Sequence, residues 1–191
     1  MKKILTAIAL LASAGASAQF VPPANPKKSY LIAGIGFGEV TPKDMGKFGN
    51  GIALEIGGGR IHRLGENVPL RAEVFYGDYS SDSGDTDVNV YGFGVQVSAG
   101  YTFNSQFTPY IGLGSGAMRS SIETPAVEEK SNFSFLKPFV VFGFEVITLD
   151  KQVALAIEQR YMEVDIKGYN FNNRATSAKV DSTVFKIRYE L

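Results

Sequence analysis

The last eight residues of the chain alternate large apolar side chains with charged or smaller ones without a break. They read Val184-Phe185-Lys186-Ile187-Arg188-Tyr189-Glu190-Leu191. Because successive side chains of a β-strand point to opposite faces, such a strand has one lipid-compatible face and one charged face. An unpaired strand edge at the end of a chain invites aggregation, so we expect the strand to close a sheet on itself. The pattern therefore predicts a β-barrel.

The first 18 residues have the three parts of a secretory signal peptide. Met1-Lys2-Lys3 is basic, residues 4–14 are apolar but too few to span a bilayer, and Ala16-Ser17-Ala18 is a cleavage site of the A-x-A kind. We expect residues 1–18 to be removed on export. Residues 19–28, which contain three prolines, are predicted to be a periplasmic lead-in, and residues 29–191 are predicted to form the barrel.

Charge and composition exclude several other classes of protein. Without Lys2 and Lys3, 17 basic residues stand against 19 acidic ones, so the mature net charge is −2 and no nucleic acid partner is expected. With no cysteine and a single histidine, the chain predicts no disulfide and no transition-metal cluster. The 21 glycines, with abundant Phe, Tyr and Val, favour strands and turns. We predict an all-β protein without a cofactor.

Alternation with a period of two residues predicts eight strands. The most regular run is 91–103, and the others lie near 30–38, 52–57, 70–76, 111–117, 140–146, 153–161 and 180–191. Three predicted connections are short, 62–68, 104–108 and 148–152, and four are longer, 39–50, 78–87, 119–132 and 163–179. Transmembrane barrels of the outer membrane have short periplasmic turns and longer extracellular loops. The alternating lengths therefore predict an eight-stranded antiparallel transmembrane barrel with both termini in the periplasm.

One face of the predicted strands is almost entirely apolar, and the other face collects the charges. The charged set is Glu55, Arg71, Glu73, Glu145, Glu158, Arg160, Lys186 and Arg188. Repeated glycines share the charged face, where small residues let a narrow interior hold long side chains. We therefore expect a lumen charge network in which four acids pair with four bases, with the apolar face against lipid. A soluble periplasmic lipocalin-like ligand binder shows the same alternation and stays open as an alternative.

Three internal segments and the C-terminal strand carry recognisable motifs. The segments are Gly100-Tyr101-Thr102-Phe103, Thr108-Pro109-Tyr110-Ile111-Gly112-Leu113-Gly114 and Ile157-Glu158-Gln159-Arg160-Tyr161. Together they resemble the small outer-membrane β-barrels of the outer-membrane-protein-A and opacity-protein type, over essentially the whole mature chain. The resemblance implies a Gram-negative outer-membrane location, contact with outer-membrane lipid and lipopolysaccharide, and recognition of the C-terminal strand by the barrel-insertion machinery. Members usually end in Phe or Trp, whereas this chain ends in Leu191.

The resemblance also implies a structural protein whose surface loops serve envelope integrity or adhesion, through a host or cell-surface ligand. A lumen filled by paired charges argues against a general porin, although a small pore stays open as an alternative. A second alternative is a lipid A-modifying enzyme, which would need a histidine beside a serine and an acid at the outer rim. The only histidine, His62, is predicted at the start of a periplasmic turn, so we expect no catalysis. The acidic residues of 78–87 lack the spacing of a calcium loop and are predicted to be a solvated loop.

Overall fold

Eight long strands form the wall of an antiparallel barrel. The computed structural model describes residues 28–42, 49–104, 106–123, 125, 128–130, 133–135, 137–148, 152–166 and 176–191. The long strands are β1 Lys28–Pro42, β2 Asn50–Leu64, β3 Val68–Ser83, β4 Thr86–Gly100, β5 Phe107–Glu123, β8 Phe139–Ile147, β9 Val153–Ile166 and β10 Thr176–Glu190. Two short strands, β6 Glu128–Lys130 and β7 Ser134–Phe135, pair with β5. The predicted signal peptide and all but the last residue of the predicted lead-in lie outside the described residues.

The first and last strands close the barrel. β1 pairs with β10 from Tyr30 opposite Glu190 to Pro42 opposite Ala178, and every other long strand pairs with its neighbours in sequence. No long strand of the described barrel is therefore left with an open edge along its whole length. This confirms the predicted eight-stranded antiparallel barrel and its closure by the C-terminal strand. No helix in the described ranges is long and apolar enough to cross a membrane.

The apolar face of the strands points outward. On β4, Phe93, Val95 and Val97 are 52–62% exposed, whereas Gln96 and Ser98 between and beside them are buried. The other long strands alternate in the same way, so their outward apolar side chains form a band around the barrel that we call the apolar belt. Its larger members are Leu31, Ile35, Phe37, Ile52, Leu54, Ile56, Val74, Phe93, Val95, Val97, Ile111, Leu113, Phe142, Phe144, Val146, Leu155, Phe185 and Ile187. A barrel that exposes such a band faces lipid, so the lipocalin-like alternative is wrong.

Aromatic residues mark both edges of the apolar belt. Tyr76 packs edge-on against Phe93 with ring centres 5.3 Å apart, toward the end of the barrel that lies away from the termini. Near the opposite end, Tyr101 packs against Phe103 at 4.9 Å, and Phe103 lies 6.5 Å from Phe107. Aromatic rings at both limits of an apolar band are typical of membrane barrels, where they sit at the headgroup level. We call the two ends the loop end and the terminal end.

Inward-facing glycines lie opposite large aromatic side chains of the next strand. The pairs are Tyr30 with Gly59, Phe75 with Gly94, Tyr110 with Gly143 and Phe139 with Gly114. A Cβ atom added at Gly94 would lie 2.2 Å from Cζ of Phe75, and one at Gly114 would lie 2.2 Å from Cζ of Phe139. Each glycine thus provides the space in which a neighbouring ring lies across the lumen. The predicted position of the glycines on the charged face is confirmed.

Beyond the belt, the strands continue with the opposite arrangement. At the loop end, residues 39–42, 50–51, 78–83, 86–91, 118–123, 162–164 and 177–182 form what we call the loop-end extension. Its inner face is buried and mainly apolar. Three buried serines, Ser81, Ser120 and Ser182, lie on it among Val40, Val88, Val90, Met118, Ile122, Met162, Val164, Ala178 and Val180. Its outer face carries Glu39, Thr41, Asp78, Ser80, Asp87, Asn89, Lys179 and Asp181. The extension therefore has the apolar core and polar surface of a water-soluble protein.

The predicted long loop over 78–87 is wrong. β3 continues to Ser83 and β4 begins at Thr86, joined by a tight turn at Gly84 and Asp85 in which Gly84 has a φ of 60°. The acidic residues of this region lie on strand ends and in that turn, not in a loop. The prediction ended each strand where outward apolar side chains stop, but a strand whose outer face meets water needs none.

The other connections are closer to the prediction. At the loop end, β1 and β9 also run past the belt, to Pro42 and Ile166, so those connections are shorter than predicted. At the terminal end, β2 and β3 are joined by a turn at residues 65–67. His62 lies within β2 and is half-buried, so its predicted place in the turn is wrong by a few residues.

Candidate functional site

All eight charged residues predicted for the lumen lie inside the barrel. None is more than 7% exposed, and they come from β2, β3, β8, β9 and β10. Strand alternation turns them inward, because each occupies the inward-facing phase of its strand. They fall into two groups, which we call the central cluster and the terminal cluster.

In the central cluster, three carboxylates share two cations. Arg160 lies 2.6 Å from Glu55 through Nη1 and 2.6 Å from Glu158 through Nη2. Nζ of Lys186 lies 3.0, 3.1 and 2.8 Å from oxygens of Glu55, Glu73 and Glu158, respectively. With three negative and two positive groups, the cluster has a formal charge of −1. Buried charges are stable only when they are paired in this way.

Neutral donors surround the same carboxylates. Three tyrosine hydroxyls donate, Tyr79 to Glu55 at 2.8 Å, Tyr30 to Glu73 at 3.3 Å and Tyr110 to Glu158 at 3.0 Å. Gln96 donates to Glu73 at 3.0 Å and to Glu158 at 3.2 Å. The protein thus supplies the hydrogen bonds that water would otherwise give to these carboxylates. The tyrosines and Gln96 were not part of the predicted network.

Arg160 also lies against an aromatic ring. Its guanidinium carbon is 3.9 Å from the centre of the Phe75 ring, which itself occupies the space left by Gly94. A cation over a ring face is attracted by the quadrupole of the ring, most strongly where water is absent. The central cluster therefore depends on the glycine and aromatic packing around it as well as on charge.

The terminal cluster has the opposite charge. Glu145 accepts from Nη2 of Arg71 at 2.7 Å and from Nε and Nη2 of Arg188, each at 2.9 Å. Arg188 also donates to Glu190 at 2.9 Å, and Lys28 donates to Glu190 at 2.8 Å. Three cations and two carboxylates give a formal charge of +1, which balances the central cluster. Glu190 and Lys28 were missing from the predicted set, although Glu190 follows the alternation of the last strand.

The lumen is thus occupied by two kinds of packing. The two charge clusters fill the part enclosed by the belt and the terminal end, and the apolar core fills the extension. Near the terminal end, the buried hydroxyls of Thr102 and Thr108 also lie 2.9 Å apart. Within the described ranges, no group of three or more His, Cys, Asp or Glu side chains is placed to hold a metal ion.

His62 lies apart from both clusters. It is opposite Leu70 of β3, and its sequence neighbours are Ile61 and Arg63. A hydrolytic site requires a nucleophile and an acid within hydrogen-bond reach of the imidazole. The strand register brings neither a serine nor an acid directly opposite His62.

A groove of about 360 Å³ lies on the outer surface, where the belt meets the extension. We call it the rim groove, and it is lined by Ile52, Leu54, Asp78, Ser80, Asn89, Tyr91 and Ser121. The groove follows β3, whose outward Asp78 and Ser80 are shorter than the side chains that flank them. The Ser80 hydroxyl accepts from the backbone N–H of Ile52 at 3.1 Å and lies 3.2 Å from its carbonyl oxygen, to which it donates. The sequence prediction missed the groove because it treated 78–87 as a loop.

Known structures have the same architecture. Neisserial surface protein A superposes with a TM-score of 0.66 at 19% identity, over 85% of this chain and 97% of that one. Ail, the attachment invasion locus protein of Yersinia pestis, has a TM-score of 0.53 at 14% identity, over 87% and 100%. A further structure of Ail, in complex with the heparin analogue sucrose octasulfate, has a TM-score of 0.50 at 11% identity, over 86% and 100%. Identities this low show the fold alone.

The sequence itself points to the same family. No curated protein sequence matches the chain. The family model described as outer membrane protein beta-barrel domain matches residues 5–189, which is nearly the whole sequence. This agrees with the outward apolar belt, the aromatic edges and the closed eight-stranded wall. The chain belongs to the outer membrane protein beta-barrel family, which confirms both the resemblance drawn from its motifs and its location in the outer membrane of a Gram-negative bacterium.

Proposed function

We propose that the protein is a closed structural barrel that supports the integrity of the outer membrane and presents its loop end to partners outside the cell. The observation that carries this proposal is the packing of the lumen. Charge clusters of −1 and +1 follow one another along it, and an apolar core follows in the extension. A barrel filled in this way serves as a rigid wall element that holds surface segments in place.

The filled lumen favours this function over the small-pore alternative. An ion that crossed the barrel would have to displace paired side chains and then pass an apolar core, and both steps cost free energy. We expect the refolded wild-type protein to give no stepwise conductance in a planar lipid bilayer in which a general porin conducts. Regular conductance steps from the wild-type protein would contradict the closed barrel.

The position of His62 supports the absence of catalysis. Short turns and both termini are periplasmic in barrels of this kind, which places His62 toward the periplasmic leaflet. A lipid A-modifying site belongs at the opposite, outer rim. We expect the mass profile of lipid A to be the same in cells that express the wild-type protein, the His62→Ala variant or neither. A change in acylation that depends on His62 would overturn this part of the proposal.

The charge of the loop end suggests what kind of surface ligand fits. The described charged residues there are mostly acidic: Glu39, Asp78, Asp82, Asp85, Asp87, Glu123, Glu163 and Asp181, against Arg119, Lys137 and Lys179. Such a surface repels polyanions, unlike the Ail structure that holds sucrose octasulfate. We propose a neutral or cationic adhesion ligand, and expect no retention on heparin at physiological salt. Retention on heparin would contradict this choice of ligand.

Residues 43–48 and 167–175 connect strands at the loop end and are the segments that we propose for adhesion. Exchanging either for a short turn should leave the barrel intact, since the strands on both sides are already paired. Binding to host cells should fall in the exchanged protein, while its migration in unboiled gel samples should stay that of a folded barrel. Unchanged adhesion in both exchanges would place the contact elsewhere.

The C-terminal strand is the segment that we propose for contact with the insertion machinery. Its outward residues continue the belt to the terminal end, where Tyr189 is 47% and Leu191 72% exposed. An aromatic terminal residue is usual in the family that the motifs resemble. We expect Leu191→Phe to raise the fraction of inserted barrel in cells, with Glu66→Phe in the turn at residues 65–67 as a control.

A further inference from the structure

We propose that copies of this protein associate side by side in the outer membrane, with Phe133 and Phe135 of one copy seated in the rim groove of the next. We call these two side chains the aromatic knob. The inference goes beyond the proposed function, which concerns the filled wall and the loop segments. It rests on the location of the barrel in the outer membrane, where all copies stand in the same orientation.

A β-bulge turns the aromatic knob outward. Phe139 lies opposite Gly114 of β5 and Phe135 lies opposite Ala117, so three residues separate the two phenylalanines where β5 has only two between their partners. An extra residue of this kind reverses the alternation beyond it. Phe139 therefore points inward and is 1% exposed, whereas Phe135 is 84% and Phe133 is 60% exposed. Without the extra residue, both side chains of the knob would point into the barrel.

The aromatic knob stands on a part of the surface that is otherwise polar. β7 pairs through Ser134 with Met118, whose side chain belongs to the apolar core of the extension. The knob therefore lies above the belt, and Phe135 is the most exposed of the described large apolar side chains. Neighbouring exposed aromatic residues on a polar surface are typical of a protein contact.

The rim groove offers a complementary surface at the same end of the barrel. It lies where the belt meets the extension, and its β2 wall is formed by the exposed apolar side chains of Ile52 and Leu54. Its volume of about 360 Å³ lies in the range of sites that enclose ring-containing ligands. Neither phenylalanine of the knob lines the groove of its own chain. A second copy in the same membrane brings a knob to this groove from the side.

The distribution of charge favours contact between the knob of one copy and the groove of another. Among the described charged side chains of the loop end, those of β1–β4 and their turn are all acidic, and the cations occur only from β5 onward. The first set is Glu39, Asp78, Asp82, Asp85 and Asp87, and the second is Arg119, Lys137 and Lys179 with Glu123, Glu163 and Asp181. Contact between two grooves would therefore bring two acidic surfaces together, whereas the knob side is formally neutral and carries Lys137 two residues from Phe135.

The contact joins two different surfaces, so it is heterologous. A copy that inserts its knob into a neighbour still has an open groove, and the neighbour still has an open knob. Such contacts continue into chains or close into rings, whereas a symmetric contact stops at a dimer. The inference therefore predicts assemblies larger than dimers in the plane of the membrane.

The test cross-links introduced cysteines in the full-length mature protein, refolded in lipid vesicles, with a short bis-maleimide. Glu163→Cys marks the margin of the knob, because Glu163 lies 2.7 Å from Nζ of Lys137. Asp82→Cys marks the margin of the groove, two residues beyond Ser80 on β3. The two single variants are refolded separately and as a mixture, and the double variant Asp82→Cys/Glu163→Cys carries both cysteines.

The mixture should give at least about tenfold more cross-linked dimer than either single variant, and the double variant should give a ladder of dimers, trimers and larger species. Adding Phe133→Ser/Phe135→Ser to the Glu163→Cys chain should lower the yield of dimer about tenfold or more, because exposed aromatic anchors supply much of the affinity of a contact. Asp78→Lys in the Asp82→Cys chain should also lower it, from the groove side. Phe185→Ser, a similar change in the belt, is the control and should leave the yield unchanged.

Equal yields from the mixture and either single variant, a ladder that survives Phe133→Ser/Phe135→Ser, or monomers throughout would overturn the inference. Migration of unboiled samples on gels reports separately on the fold of every variant. A wild-type protein without a heat-modifiable band would instead contradict the proposed function.

Discussion

The belt region and the loop-end extension are built from the same strands but have opposite interiors and exteriors. On β9, Arg160 lies in the charged lumen of the belt region, and Met162, two residues further on the same face, lies in the apolar core of the extension. On β4, Val95 points outward in the belt region, and Asp87 points outward in the extension. One strand therefore reverses its polarity along its length while its side chains keep the same alternation.

The difference shows that the solvent outside the barrel decides only the outer face. Lipid requires apolar groups outside in the belt, and water requires polar ones outside the extension. The interior is closed to both lipid and water, so its side chains need only to pack closely and to have partners for their polar groups. Paired charges meet this requirement in the belt region, and apolar side chains meet it in the extension. A belt strand that was apolar on both faces would be prone to aggregate before insertion.

The largest effect is expected where the buried charge network loses a cation. Arg160→Met leaves three carboxylates of the central cluster with Lys186 alone, and breaking a buried ion pair costs about 3 to 5 kcal/mol. Urea unfolding in lipid vesicles, followed by circular dichroism, measures the free energy. Arg60→Met, on the exposed outer face of β2, is the matched control and should change little. If both variants lowered the free energy of unfolding by a similarly small amount, the stability of the barrel would not depend on the pairing of the lumen charges.

The next effect concerns the outer face of β4. Val95→Arg places a charge in the belt and should destabilise the inserted barrel by about 2 to 4 kcal/mol. Asp87→Arg, on the same face of the same strand in the extension, should cost less than about 0.5 kcal/mol because it meets water. Folding yield in vesicles and urea midpoints measure both. Equal costs at the two positions would remove the boundary between lipid and water that divides the regions.

The smallest effect concerns the space inside the barrel. A Cβ at Gly94 would lie 2.2 Å from the Phe75 ring, whereas one at Gly38 in β1 has only ordinary contacts, at 3.7 Å to Cβ of Ala53. Gly94→Ala should therefore cost about 1 to 3 kcal/mol, and Gly38→Ala should be neutral or slightly stabilising. Combining Gly94→Ala with Phe75→Leu should recover part of the loss. If the Phe75→Leu background leaves the cost unchanged, the ring is not what Gly94 accommodates.

The sequence is sufficient to predict the belt region because two patterns agree there, the apolar residues on one strand face and the charged residues with glycines on the other. Apolar residues and charges alternate together, and the glycines on the charged face indicate that this face is the inner one, so residues such as Val95 and Arg160 can be assigned to their faces. The extension was missed because the apolar residues of β4 change from the outer face in the belt to the inner face at Val88 and Val90. In the sequence, this change resembles the end of a strand rather than a change of the solvent outside it. The pairing of Phe75 with Gly94 depends on register between strands, and the rim groove depends on it too, so neither follows from the pattern of one strand.

The division between the two regions can be tested most directly by labelling single cysteines along the outer face of β4. The chain has no cysteine, so each label reports only the introduced residue. In intact cells, a membrane-impermeant maleimide should label Asp87→Cys and Asn89→Cys, and should label Val95→Cys and Val97→Cys only after the protein is denatured. Labelling of Val95→Cys as fast as Asp87→Cys, or labelling of Asp87→Cys only after the outer membrane is opened, would contradict a belt in lipid with the loop end outside the cell.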